Sequence, residues 1–232
     1  MKVISASPSK LSVNGFDLVN SDEQNLLQFR LIPMIHIGEA NFYKSATNAL
    51  GDCQHLIFEG VKLNKLRSFG HITKQIAKKL ELVEQRNQMR LKELPLKLIH
   101  GDLNEEEASK AWQKVNRWER LSVRYVYPLL YHRDKRYLSR RMMARVLVNS
   151  QEARYSYQYA MYPIDSADFF ISEFRERKLF KTINRHIKEQ KNTTSLTGIL
   201  YGAGHAKAVL AHLEQWGYSV QNAFPLTVFH IK

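Results

Sequence analysis

The chain has 232 residues, 44% hydrophobic and 25% charged, enough for one sizeable core or a core carrying a large insertion, and too apolar for a disordered segment. Its single cysteine, Cys53, excludes an intrachain disulfide framework, and no segment reaches the roughly 20 apolar residues a bilayer span needs. A net charge of +13 raises the question of a polyanionic partner.

The opening stretch "MKVISASPSKLSVNGFDLVN" lacks the apolar region of a signal peptide, so a cytoplasmic protein of one folded unit is expected. "LLQFRLIPMIHIG" reads as a buried strand closing at Gly38. "EANFYKSATNALGDC" follows as a helix, with Phe42, Ala46 and Ala49 on one face and Gly51 as its stop signal. "HLIFEGV" is a second short strand, and the resulting strand, helix, strand unit predicts a parallel pair with a right-handed crossover.

From about 70 to 95 the pattern is helical, ending before Pro95. "LKLIHGDL" reads as a third short strand, and Asn104 with Glu107 makes a variant of the capping box at the start of the next helix. Residues 109 to 190 read mostly as helix, interrupted around Pro128 and Pro163. Sheet returns at "LTGILYGAG", then a helix "AKAVLAHLEQW" and a last strand "LTVFHI". The layout predicts an α/β (α+β) fold with a mixed, largely parallel central sheet flanked by helices. It is one domain over 1–232, with 62–170 as a mostly helical insertion or cap.

Between Arg117 and Arg145 nine lysines and arginines interleave with Trp118, Tyr125, Tyr127, Tyr131 and Tyr137. Such a surface could suit a nucleic acid, but a solvated helical face whose arginine stems cover apolar surface is the favoured reading.

Polar residues at or just past apolar strands are the candidates for chemistry: His36, Glu59, His100 with Asp102, and His205. A parallel sheet brings such strand ends to one edge, where ligand sites of α/β folds lie. Two imidazoles and a carboxylate could bind a divalent metal and activate a water for hydrolysis, although a histidine in an apolar strand, taken alone, is more often a hydrogen-bonded structural residue than a ligand. A carboxylate at Glu59 is costly to bury without a positive partner or a metal. "GAGH" also opens like a dinucleotide fingerprint. Lys207 stands in place of the third glycine, and "YSVQNAFPLTV" lacks the acidic residue, so no nucleotide cofactor is expected.

"MIHIGEANFYKSATNALGDCQHLIFEGV", with "FRERKLFKTI" and "GILYGAGHAKAVLAHLEQWGY" far downstream, resembles the TraB/Tiki superfamily, with its erythromycin-esterase and ChaN-like members. That family carries two G-x-x-H motifs, a glutamate after the second strand and an arginine heading a helix before the second motif. Here the second motif is Gly202 to His205, the glutamate is Glu59 and the arginine is Arg175. The first motif departs from the pattern, with Pro33 in place of glycine ahead of His36.

The resemblance implies a metal-dependent hydrolase of peptide or ester bonds. His36, Glu59 and His205 would hold manganese, cobalt or zinc, or act directly as acid and base. Arg175 would stabilise an oxyanion or anchor a substrate carboxylate, and Gly202 and Gly204 would shape the substrate turn. Gly204 is expected at positive φ or against a close neighbour. Glu39 is a further catalytic candidate, and serves equally as a carboxylate favoured by a helix N-terminus. The partner would be a peptide or small-molecule substrate. The alternatives are a non-catalytic protein of the same fold binding a peptide or small anion, and a nucleic-acid accessory protein using the basic middle segment.

Overall fold

The computed structural model describes residues 1–60, 67–153 and 167–231. The chain opens with two strands that no local pattern announces, β1 (Ile4–Ala6) and β2 (Lys10–Asn20). The strand expected to close at Gly38 is split into β3 (Leu27–Met34) and β4 (Ile37–Gly38), and α1 (Ala40–Ala49) and β5 (His55–Phe58) follow as expected.

The single helix expected over 70–95 is a correction. α2 (Arg67–Lys79) stops early, and β6 (Val83–Glu84) with a single turn, α3 (Gln85–Gln88), takes up the remaining residues. The stop is a left-handed residue, Glu81 at φ 53°, with the Leu82 amide donating back to the Ala77 carbonyl at 2.8 Å. A glycine usually holds this position, so periodicity could not reveal it. Arg140 stabilises the turn by donating to the Leu80 carbonyl at 2.8 Å and the Glu81 carbonyl at 2.9 Å.

β7 (Lys97–His100) and α4 (Glu105–Lys114) come next, and the Asn104–Glu107 capping box is present in both directions. α5 (Arg117–Leu121) runs through a π-helical stretch (Ser122–Val126) into α6 (Tyr127–Asp134), with Pro128 in the first turn of α6. α7 (Arg140–Ala153) and the long α8 (Ala167–Gln190) follow; the interruption expected at Pro163 lies outside the described residues. β8 (Ser195–Gly202), α9 (Ala206–Glu214) and β9 (Tyr218–His230) complete the chain.

The fold is mixed α/β, with a mostly parallel central sheet flanked by helices. β3, β8, β5 and β7 are parallel neighbours in that order. β2 joins them antiparallel to β3, pairs with β1 over another stretch, and lies against β9 along its whole length. β7, the third short strand expected from the sequence, lies within 62–170 and is a strand of the central sheet.

The central strands are apolar on both faces. Leu31, Ile32, Leu56, Ile57, Ile199 and Leu200 are all buried, each contributing roughly 1.5–3 kcal/mol. Leu179, Ile183 and Ile187, four residues apart on α8, are buried in the same core. α8 runs opposite to the strands: Arg175 lies at their carboxyl ends, and His186 bonds Thr197 near the start of β8.

Candidate functional site

Parallel register decides what meets at the carboxyl edge. Met34 pairs with Gly202, and Phe58 lies beside both Leu200 and His100. The residues that follow, at 36, 59, 102 and 205, therefore emerge from the same edge of the sheet.

Glu59 is at the centre. Its Oε1 accepts a bond from Arg175 Nη2, and its Oε2 accepts from the Gly202 amide at 2.6 Å. Arg175 also donates through Nε and Nη2 to the two oxygens of Asp102, at 3.1 and 2.9 Å. Asp102 is wholly buried and accepts two further amides, Leu103 at 2.7 Å and Gly60 at 3.3 Å. Glu59 and Arg175 are 14% and 16% exposed, so this is an internal ion triad rather than a surface pair. Burial alone would raise the Glu59 carboxyl pKa. The Arg175 charge, followed by those of His36 and His205, outweighs burial and holds it at about 2.

Gly202 has a definite reason to be glycine: a Cβ there would lie 3.1 Å from Glu59 Oε2. Its amide is committed to that carboxylate, so it shapes the site rather than offering a donor to substrate. Gly204 is a correction. It has no positive φ, and a Cβ there would meet nothing within 4 Å, because the turn is a 3-10 helix (Ala203–His205) that any residue can form.

His205 stands at the end of that turn, 12% exposed, with Nδ1 3.0 Å from Glu176 Oε1. Its ring meets Tyr201 edge-on at 5.2 Å, and the Arg175 guanidinium lies over the same tyrosine at 5.5 Å. Consecutive residues of α8 thus serve both halves of the site, since neighbours on a helix diverge by about 100°. Glu176 is not among the residues that the sequence pattern singles out. In "EFRERKLFK" nothing separates it from Glu173, which pairs with Arg177 on the exposed side. His36 is exposed, its Nδ1 3.1 Å from Gln85 Oε1, and the Gln85 amide donates to its carbonyl at 2.9 Å.

Glu39 has other partners. It precedes α1 without capping it, and bonds Arg140 Nη1 at 2.9 Å, the His230 amide at 3.0 Å and His230 Nδ1 at 2.9 Å. It ties α1 to α7 and to the end of β9.

Two imidazoles and a carboxylate are suitable donor types for manganese, cobalt or zinc. Among the described residues no three His, Cys, Asp or Glu side chains form a metal-holding group, and both oxygens of Glu59 already serve Arg175 and Gly202. Arg175 is similarly committed through Nε and Nη2, so only Nη1 is left to meet an oxyanion or a substrate carboxylate.

In the basic middle segment Trp118, Tyr125 and Tyr137 are exposed, and Arg117, Arg124 and Arg136 lie over their respective rings at 5.9, 5.5 and 4.8 Å. No helix among the described residues is long and apolar enough to cross a membrane. In comparison with known proteins, no family model, no curated protein and no solved structure matches this chain.

Proposed function

We propose that this protein is a hydrolase of peptide or ester bonds, of the TraB/Tiki type, acting at the carboxyl edge of the parallel strands. The observation that carries the reading is the pairing of His205 with Glu176 beside the fixed charges of Glu59, Arg175 and Asp102. With Nδ1–H donated to Glu176, His205 presents Nε2 as a base. This is the orienting logic of carboxylate–histidine catalysis.

In the proposed reaction a water loses its proton to Nε2 as its oxygen bonds the substrate carbonyl carbon. The imidazolium, neutralised by Glu176 and the nearby Glu59, returns that proton to the departing amine or alkoxide as the C–N or C–O bond breaks. Glu59, with its pKa held at about 2, remains ionised at neutral pH and acts as a fixed charge, not as a proton carrier.

The test is hydrolysis of a peptide and ester panel by untagged protein, with metal analysis of the same sample. The expected result is turnover that falls about a hundredfold or more in both His205→Ala and Glu176→Ala. Turnover unchanged in Glu176→Ala would overturn the dyad. Stoichiometric manganese, cobalt or zinc, lost in a His36→Ala/His205→Ala double variant, would instead establish the metal-dependent form of the same reading.

Two other readings each have a supporting observation. The closed bonding of Glu59, Asp102 and Arg175 to one another favours a non-catalytic protein that binds a peptide or small anion. The exposed arginine–aromatic pairs of the middle segment favour nucleic-acid association, whose mark is binding that collapses with salt and requires Arg117, Arg124 and Arg136.

A further inference from the structure

A concavity of about 290 Å³ opens beside this edge between β7, the start of α4 and one face of α8. Asp102 and Glu107 are its two carboxylates, and each already has a cationic partner. Asp102 is bonded by Arg175, and Glu107 accepts from Lys178 Nζ at 2.7 Å and from the Asn104 amide at 2.9 Å.

The remaining charge in the pocket is positive. Lys181 and Arg185 line it and form no ion pair among the described residues. With Lys178 they occupy positions three and seven residues apart, so all three project from one face of α8. His100 lines the opposite wall, with Nε2 donating to the Gly60 carbonyl at 2.9 Å and Nδ1 left over. Thr182 adds a hydroxyl to the lining.

We propose that this pocket binds a phosphate dianion, either free phosphate or the phosphate-monoester end of a small molecule. Two cations that form no ion pair among the described residues match a double negative charge better than a single carboxylate. The guanidinium fork of Arg185 and the point charge of Lys181 are the donors that phosphate oxygens recruit. The volume lies at the small end of ligand pockets, which suits a compact anion or one anionic end. Phosphate binding here does not depend on hydrolysis at the neighbouring site: a hydrolytically inert protein that binds phosphate in this pocket bears the proposal out.

The experiment titrates inorganic phosphate into the full, untagged chain at constant ionic strength made up with chloride, followed by calorimetry and by the His100 ring signals in NMR. Saturable binding is expected, with affinity weakened roughly tenfold or more in Lys181→Gln/Arg185→Gln and unchanged in Lys188→Gln. Lys181 and Arg185 are exposed, so the double variant should remain folded; each single variant should show a smaller loss and serves in its place if it does not. Methyl phosphate binding as tightly as phosphate would identify the ester end as the ligand, and binding of phosphate alone would identify the free ion. No saturable phosphate binding, or unchanged affinity in the double and single variants, overturns the proposal. So does succinate binding as tightly as phosphate, or salt-sensitive binding of an RNA oligonucleotide with none of phosphate.

Discussion

The same helix, α8, covers both ends of the parallel strands, and the two ends handle buried polarity in opposite ways. At the carboxyl end Glu59 and Asp102 are buried around one shared cation, Arg175, which leaves the triad one negative charge in excess. At the amino end His55 and His186 meet edge-on at 4.9 Å, with His186 Nε2 2.8 Å from Thr197 Oγ1. There burial dominates. It lowers the pKa of His186, helped by the charges of His55, Lys97 and Arg185, to about 4, and lowers that of His55 as well. One end keeps its charge by pairing and the other stays neutral by desolvation, so a substitution or a pH change should act on them differently.

The largest expected effect is removal of the paired cation. Arg175→Met leaves two buried carboxylates without a counter-charge and should lower stability by about 3–5 kcal/mol in urea unfolding. Arg175→Lys keeps the charge but not the fork that reaches two carboxylates, and should recover only part of this. A loss below about 0.5 kcal/mol for Arg175→Met would show that the triad is solvated and the contrast false.

Acid should separate the two ends next. His186 has a depressed folded pKa, so its neutral form stabilises the fold above pH 6.5, and that contribution is lost as pH falls from 6.5 to about 4. The Glu59 pKa is also depressed, so its contribution is present above pH 4.5 and lost between 4.5 and about 2. Each amounts to something on the order of 3 kcal/mol. Urea midpoints measured against pH should fall first in the upper window, and His186→Gln should flatten that window while leaving the lower one. A single transition confined below pH 4.5 would show that the amino-end histidines contribute nothing to acid sensitivity.

A smaller change is expected at His55, whose Nδ1 is buried without a hydrogen-bond partner. His55→Leu removes an orphaned polar atom and should raise stability by about 1 kcal/mol at neutral pH. Destabilisation of the same size would mean that the ring makes a bond by moving. The smallest effect contrasts two glycines of one turn. Gly204→Ala should shift stability by no more than about 0.5 kcal/mol, whereas Gly202→Ala, pressed against Glu59, should lower both stability and any hydrolysis. Equal effects at the two positions would contradict the geometry.

Much of the parallel half of the fold was legible. β5, β7, α4 with its cap, β8 and α9 all stand where apolar runs, Asn104 and the glycine turns place them. The antiparallel half was not. β2 mixes polar and apolar residues and includes Gly15, and its pairing with β9 joins residues some two hundred positions apart, which no local pattern encodes. Glu176 was hidden for a related reason. Helical acidic residues look alike until a partner such as His205 is brought beside one of them.

By itself, then, the amino-acid sequence determined the local elements, the apolar strands and the polar residues that must emerge at their ends, because periodicity and capping are short-range physics. Only the tertiary structure decided that Arg175 is shared between Glu59 and Asp102, that Glu39 pairs with Arg140 rather than joining Glu59, and that β8 lies between β3 and β5. Those outcomes follow from strand order and from the need to compensate every buried charge, which the chain meets with whatever partner the fold delivers.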